Sequence, residues 1–114
     1  MISGISSTLS GLSAFTRTLS NAAGNIANVN TDGYNKTTAT IVEDANGLPG
    51  VSVERRDTPG PMIQETDGTL SELSNVELAE EFPRMMISQR GYEANINALN
   101  IQNEMIGSLL DIMG

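Results

Sequence analysis

Apolar residues near the start of the chain recur at Ile2, Ile5, Leu9, Leu12, Leu19, Ala23 and Ile26, with Thr16 filling the one open slot. The steps alternate threes and fours, the heptad pattern of a helix that packs lengthwise on another. It predicts a helix over residues 3–29. Gly4, Gly11 and many Ser and Thr weaken that helix, each Gly costing about 1 kcal/mol relative to Ala, so its seam has to be covered for it to stay ordered. A longer stripe follows at Leu78, Phe82, Met85, Gln89, Tyr92, Ile96, Leu99, Asn103, Ile106, Leu110 and Met113. Gln89 and Asn103 interrupt it as amides that either fix register in a seam or face solvent. Ser74 and Glu77 stand before it in the S-x-x-E spacing of a capping box. Pro83 removes one helical hydrogen bond and predicts a kink, or a regular helix beginning near Arg84.

Between the stripes, "KTTATIVE" and "VSVERR" alternate β-branched residues about the turn-rich "DANGLPG", which predicts a β-hairpin. "DTPGPMIQETDG" reads as a Pro/Gly loop holding one further short strand. The expected fold is mainly α, with N- and C-terminal helices paired as a coiled-coil-like hairpin around a small β-hairpin insert. Its segments are residues 1–34, 35–73 and 74–114.

Composition narrows the chemistry. The chain has 114 residues, no His and no Cys, which excludes Ser-His-Asp and Cys-His catalysis, disulfides and imidazole or thiolate metal sites. Aromatics are 4%, too few for a large globular core. A net charge of −8 argues against a nucleic-acid partner. Arg17 is the one charge in the first 31 residues, whereas six acids and no base fall between Glu65 and Glu81. No apolar run approaches the roughly 18 residues of a membrane span, so no direct membrane insertion is expected. The opening "MISGISSTLSGLSAF" does not read as a cleavable secretory signal, and export would need another route.

The stretch "NAAGNIANVNTDGY" is rich in side-chain amides. Asn, Asp and Gly tolerate left-handed backbone, and short polar side chains bond back to nearby main chain. "NVNTDGY" therefore predicts a helix exit, with Asn28 or Asn30 near the C-cap, a turn at Asp32-Gly33 and Tyr34 docking back. Asn25 and Asn28 lie on one helical face, where each amide can donate and accept across a seam with another helix.

"SNAAGNIANVNTDGYNK" resembles the N-terminal signature of the bacterial flagellar rod and hook proteins. "SNVELAEEFPRMMISQRGYEANINALNIQNEMIGSLL" resembles the C-terminal signature of the same family. Asn25, Ile26, Ala27, Asn28, Asn30, Thr31, Gly33 and Tyr34 match the front motif. Asn75, Val76, Leu78, Gln89, Arg90, Tyr92, Ala94 and Asn95 match the rear one. The resemblance implies that the terminal helices pair inside a tubular axial structure while the middle projects outward. Its short middle implies a small proximal-rod type of subunit.

On that resemblance the expected subunit-interface residues are Asn25, Ile26, Asn28, Asn30, Thr31, Gly33, Tyr34, Leu78, Gln89, Arg90, Tyr92, Asn95, Leu99 and Ile106. The expected partners are other flagellar rod and axial proteins, copies of the chain itself and the flagellar type III export apparatus, with the protein located in the periplasmic rod. No cofactor and no enzymatic activity are expected. Arg90 reads as half of a bidentate ion pair with a neighbouring subunit rather than as part of a ligand pocket. Glu77, Glu80 and Glu81 read as favourable charge in the first helical turns rather than as metal ligands or an acid/base pair. Asn35-Lys36-Thr37 fits the N-glycosylation pattern by chance, and "EDANG" lacks the ligand spacing of a calcium loop. The alternative function is an acidic helical adaptor or chaperone for another secreted protein.

Overall fold

The computed structural model describes residues 2–114, with side chains from residue 4 onward. The elements are α1 (Ile2–Ala27), β1 (Thr37–Glu43), β2 (Pro49–Arg55), β3 (Met62–Gln64), β4 (Leu70–Glu72) and α2 (Leu78–Met113). Strands β1 and β2 form one antiparallel hairpin, with Thr37 opposite Arg55 and Glu43 opposite Pro49. Strands β3 and β4 form a second, with Met62 opposite Glu72. The first hairpin was expected. The second pairs the one strand anticipated in the Pro/Gly loop with Leu70–Glu72, closed by Gly68 at φ 90°.

Helices α1 and α2 run antiparallel along each other. Thr8 Oγ1 donates to Gln102 Oε1 at 3.2 Å, and the hydroxyls of Thr18 and Ser88 are 2.8 Å apart. Gly11 faces the amide of Asn95, and Gly91 faces the ring of Phe15. On α1 the inward stripe is Gly4, Thr8, Gly11, Phe15, Thr18, Ala22 and Asn25. On α2 it is Glu81, Arg84, Ser88, Gly91, Asn95, Ala98 and Gln102. Both have the heptad steps predicted, yet each lies one residue before the apolar stripe, a turn of about 100° around the helix.

The helices thus meet on their small and polar residues, not on their apolar ones. Close approach explains the choice. Glycines at 11 and 91 let Asn95 and Phe15 sit against bare backbone, where a Cβ would intrude. The apolar stripes are left at the flanks: Leu9, Phe82, Tyr92, Ile96 and Leu110 are exposed, and Leu12, Leu19, Leu99 and Ile106 are half-buried. The side chain of Ile2 lies outside the described residues.

The molecule is a slab whose principal extents are 79 × 25 × 14 Å. With so thin a shape the interior is small. Ala14, Ala22 and Val76 are the apolar residues that reach full burial among those described. The end of α2 from Met105 to Met113 continues past the described start of α1, given that Gly4 lies beside Gln102, and Ile112 and Met113 there are 82% exposed.

One local expectation is corrected, and one of the two alternatives at Pro83 falls away. The Ser74–Glu77 capping box does not form: Ser74 Oγ accepts the Val76 N–H at 3.1 Å, and Glu77 is an N-cap with no side-chain bond. Asn75, between them, gives its N–H to the Tyr34 carbonyl and its side chain to Lys36, Arg56 and Thr58, which ties it to the neighbouring loops, and the helix starts at Leu78. Pro83 sits inside α2, which continues through it and does not wait for Arg84 to begin.

If the glycine contact sets the helix spacing, Gly91→Ala destabilises the fold by about 1–2 kcal/mol, overpacking outweighing the gain in helix propensity. Gly107, where an added Cβ meets nothing within 4 Å, gives the opposite sign: Gly107→Ala stabilises by up to about 1 kcal/mol. Urea denaturation followed by circular dichroism checks both.

Candidate functional site

The amide-rich helix exit is a built junction. Helix α1 ends at Ala27, where Asn28 Nδ2 donates to the Gly24 carbonyl at 2.8 Å and Asn28 Oδ1 accepts the Thr31 hydroxyl at 3.1 Å. Gly33 then takes φ 70°, a left-handed backbone that suits its missing Cβ, and donates its N–H to the Glu72 carbonyl. The chain doubles back so that Tyr34 reaches the helix it has just left.

There it meets Asn25, which is fully buried. Asn25 Oδ1 accepts the Tyr34 hydroxyl at 3.0 Å and the Thr37 N–H at 3.1 Å, while its Nδ2 donates to the Thr37 carbonyl at 2.7 Å. Asn21, one turn earlier, donates to the same carbonyl at 2.8 Å and accepts the Thr37 hydroxyl at 2.6 Å. Two helix amides thereby hold the first residue of β1 as a neighbouring strand would. From the other side Asn75 accepts the Lys36 N–H at 2.6 Å and donates to the carbonyls of Arg56 and Thr58. The three asparagines tie the helix pair to the base of the first hairpin with side-chain bonds to backbone, which hold both partners in fixed geometry.

Charge reinforces the junction. Lys36 Nζ meets Glu80 Oε2 at 2.9 Å. The hydrogen bond and the charge of Lys36 hold the Glu80 carboxyl below its ordinary range. Glu81 is buried entirely between the helices, with Arg84 3.6 Å away as its ion-pair partner and no hydrogen bond to either oxygen. Glu77 and Glu80 are exposed charge at the start of α2, as expected, whereas Glu81, expected on a solvated face, is buried.

The residues expected at a subunit interface fall into two groups. Asn25 and Tyr34 are committed to the junction. Asn30, Thr31, Gly33, Leu78, Gln89, Arg90 and Tyr92 are exposed, and Ile26, Asn28, Asn95, Leu99 and Ile106 are half-buried. Gln89 reaches Glu93 only at 3.4 Å, and Arg90 has no ion pair within the chain among the described residues. The junction also contains Asn21, Thr37 and Asn75, which were not marked as site residues. Their signal was there: Asn21, Asn25 and Asn28 step by four and three along one helical face.

Replacing Asn25 with Ala strands the Thr37 backbone groups and the Tyr34 hydroxyl, and is expected to cost about 3 kcal/mol. Tyr34→Phe removes one bond and is expected to cost about 1 kcal/mol; chemical denaturation gives the ordering. Glu80→Gln tests the charge. With a lowered native value, the Glu80 contribution is fully present above the unfolded value near 4.5 and is lost as pH falls through the native one. The difference in Tm between wild type and Glu80→Gln is therefore constant at neutral pH and shrinks on acidification below that point.

Residues 66–112 match the family model described as Flagellar basal body rod FlgEFG protein C-terminal. The matched span takes in the β3–β4 turn, β4, Asn75 of the junction and nearly all of α2. A search of curated proteins found no match. Residues 66–112 are thus similar to the C-terminal region of flagellar basal body rod proteins, a likeness that supports a rod-related structural role.

Proposed function

We propose that this chain is a structural subunit of the small proximal-rod type. In this reading it is exported through the flagellar type III apparatus and assembles in the periplasmic rod, where it transmits torque without chemistry. Its partners are other axial proteins and copies of itself. The observation that carries the reading is the placement of the apolar stripes. Phe82, Tyr92, Ile96 and Leu110 follow heptad steps along α2, yet the helix pairing leaves them exposed on a slab too thin to cover them. Large exposed apolar surface at regular spacing marks an interaction face.

Assembly through that face completes a coiled-coil-like packing with neighbours. Leu78, Gln89, Arg90, Tyr92, Asn95, Leu99 and Ile106 supply it from α2, and Ile26, Asn28, Asn30, Thr31 and Gly33 from the exit of α1. Arg90, free of intrachain ion pairs among the described residues, takes a carboxylate on the adjacent subunit. Asn25 and Tyr34 act one step back, fixing the direction in which the hairpin leaves the helices. A rod that transmits torque needs such fixed junctions, because a loose one would store rotation as local bending.

The test is a pair of charges on the ridge. Phe82→Asp with Ile96→Asp leaves the inward stripes intact, so helix content is retained, while rod assembly and swimming are lost and the chain is still secreted. Wild-type motility in a strain carrying only the double variant contradicts the reading. A discrete small complex with another secreted protein, seen by size-exclusion with light scattering in place of open assembly, favours the adaptor alternative.

A further inference from the structure

The β3–β4 hairpin packs on neither helix and not on the first hairpin, among the described residues. A lone two-stranded hairpin is marginal in water, and this one exposes Met62, Ile63 and Leu70. Its turn carries Glu65 and Asp67. The Asp67 carboxylate accepts the Thr69 N–H at 3.0 Å and the Thr69 hydroxyl at 2.6 Å, which shapes the tip and keeps that acid charged.

A groove of about 600 Å³ lies between the base of the first hairpin and the start of α2. Lys36, Arg56 and Arg84 line it, three of the six basic residues in a chain that carries 14 acids. Glu77 and Glu80 also line it, and Lys36 already holds Glu80. The other two cations are under-satisfied. Arg56 has no ion pair among the described residues, and Arg84, with a side chain 41% exposed, has only the long 3.6 Å pair to Glu81. An exposed guanidinium gains a charge-assisted bond from an incoming carboxylate. Pro59 and Pro61 add an apolar wall.

The groove cannot take the hairpin of its own chain. Pro61 is on the groove wall and β3 begins at the next residue, so three-residue strands carry the tip about 10 Å away from it. We propose that the groove receives the Glu65–Asp67 hairpin tip of a second copy of this chain. The two carboxylates meet Arg56 and Arg84, and the prolines cover part of the exposed hairpin side chains. Groove and tip are different surfaces of one molecule, so the contact is head-to-tail and repeats in open series. It is a separate surface from the helix ridge, and each can fail without the other.

A charge swap tests it on the full chain by sedimentation velocity. Arg56→Glu makes groove and tip both acidic; Glu65→Arg with Asp67→Arg makes both basic. Each variant alone is expected to self-associate at least about tenfold more weakly than wild type, since like charges face each other at every contact. An equimolar mixture restores association, because each groove then finds a tip of opposite sign. Arg56→Gln, which adds no charge, gives a smaller loss. Variants that associate as wild type does, a mixture no better than its components, or a wild-type chain that stays monomeric to millimolar concentration would each overturn the proposal. Phe82→Asp with Ile96→Asp, run alongside, reports the ridge independently.

Discussion

Everything in this structure follows from the way the two long helices touch. They meet through glycine, alanine, hydroxyls and amides, with Phe15 laid over Gly91 and the Glu81–Arg84 pair at the other end of the stripe. Small residues bring the helix axes close and give the pair a defined register through Thr8–Gln102 and Thr18–Ser88. They also bury little apolar area, which is the dominant favourable term in folding. A helix pair held this way is well specified and weakly stabilised. The apolar residues that would have stabilised it point elsewhere.

That division makes sense for a structural subunit. A slab with extents of 79 × 25 × 14 Å has little inside, and in the proposed rod its apolar side chains become interior when neighbours arrive. The polar contact fixes the internal geometry, and the asparagine junction carries it to the first hairpin. Asn21 and Asn25 grip Thr37, and Asn75 grips the residues that flank the strands, Lys36, Arg56 and Thr58. Directional bonds to backbone suit this task better than apolar packing, which tolerates sliding.

Much of this was legible from the residues, for identifiable reasons. Period is a property of local spacing, so both helices and their heptad steps could be read directly, as could the first hairpin from "DANGLPG" between β-branched runs. The Tyr34 return was legible because "NVNTDGY" has the chemistry of a left-handed exit. The face was not. Two stripes one residue apart share the same period, and hydrophobicity selects the greasier one on the assumption that burial happens within a single chain. Here Gly4, Thr8 and Gly11 won over Ile5, Leu9 and Leu12 because close backbone approach requires small residues. The capping box failed for a similar reason: Ser74 and Glu77 have the right spacing, but Asn75 between them is held by Tyr34 and Lys36 from distant parts of the chain.

The most direct test of this account is a thermal melt of the isolated chain, followed by far-UV circular dichroism over a wide range of protein concentration. A molecule whose apolar ridges are covered only by neighbours has a Tm that rises with concentration, and a shallow transition when dilute. A cooperative melt above about 60 °C, a typical mesophile-domain range, that does not move with concentration would mean that the chain buries enough on its own, and the account would be wrong.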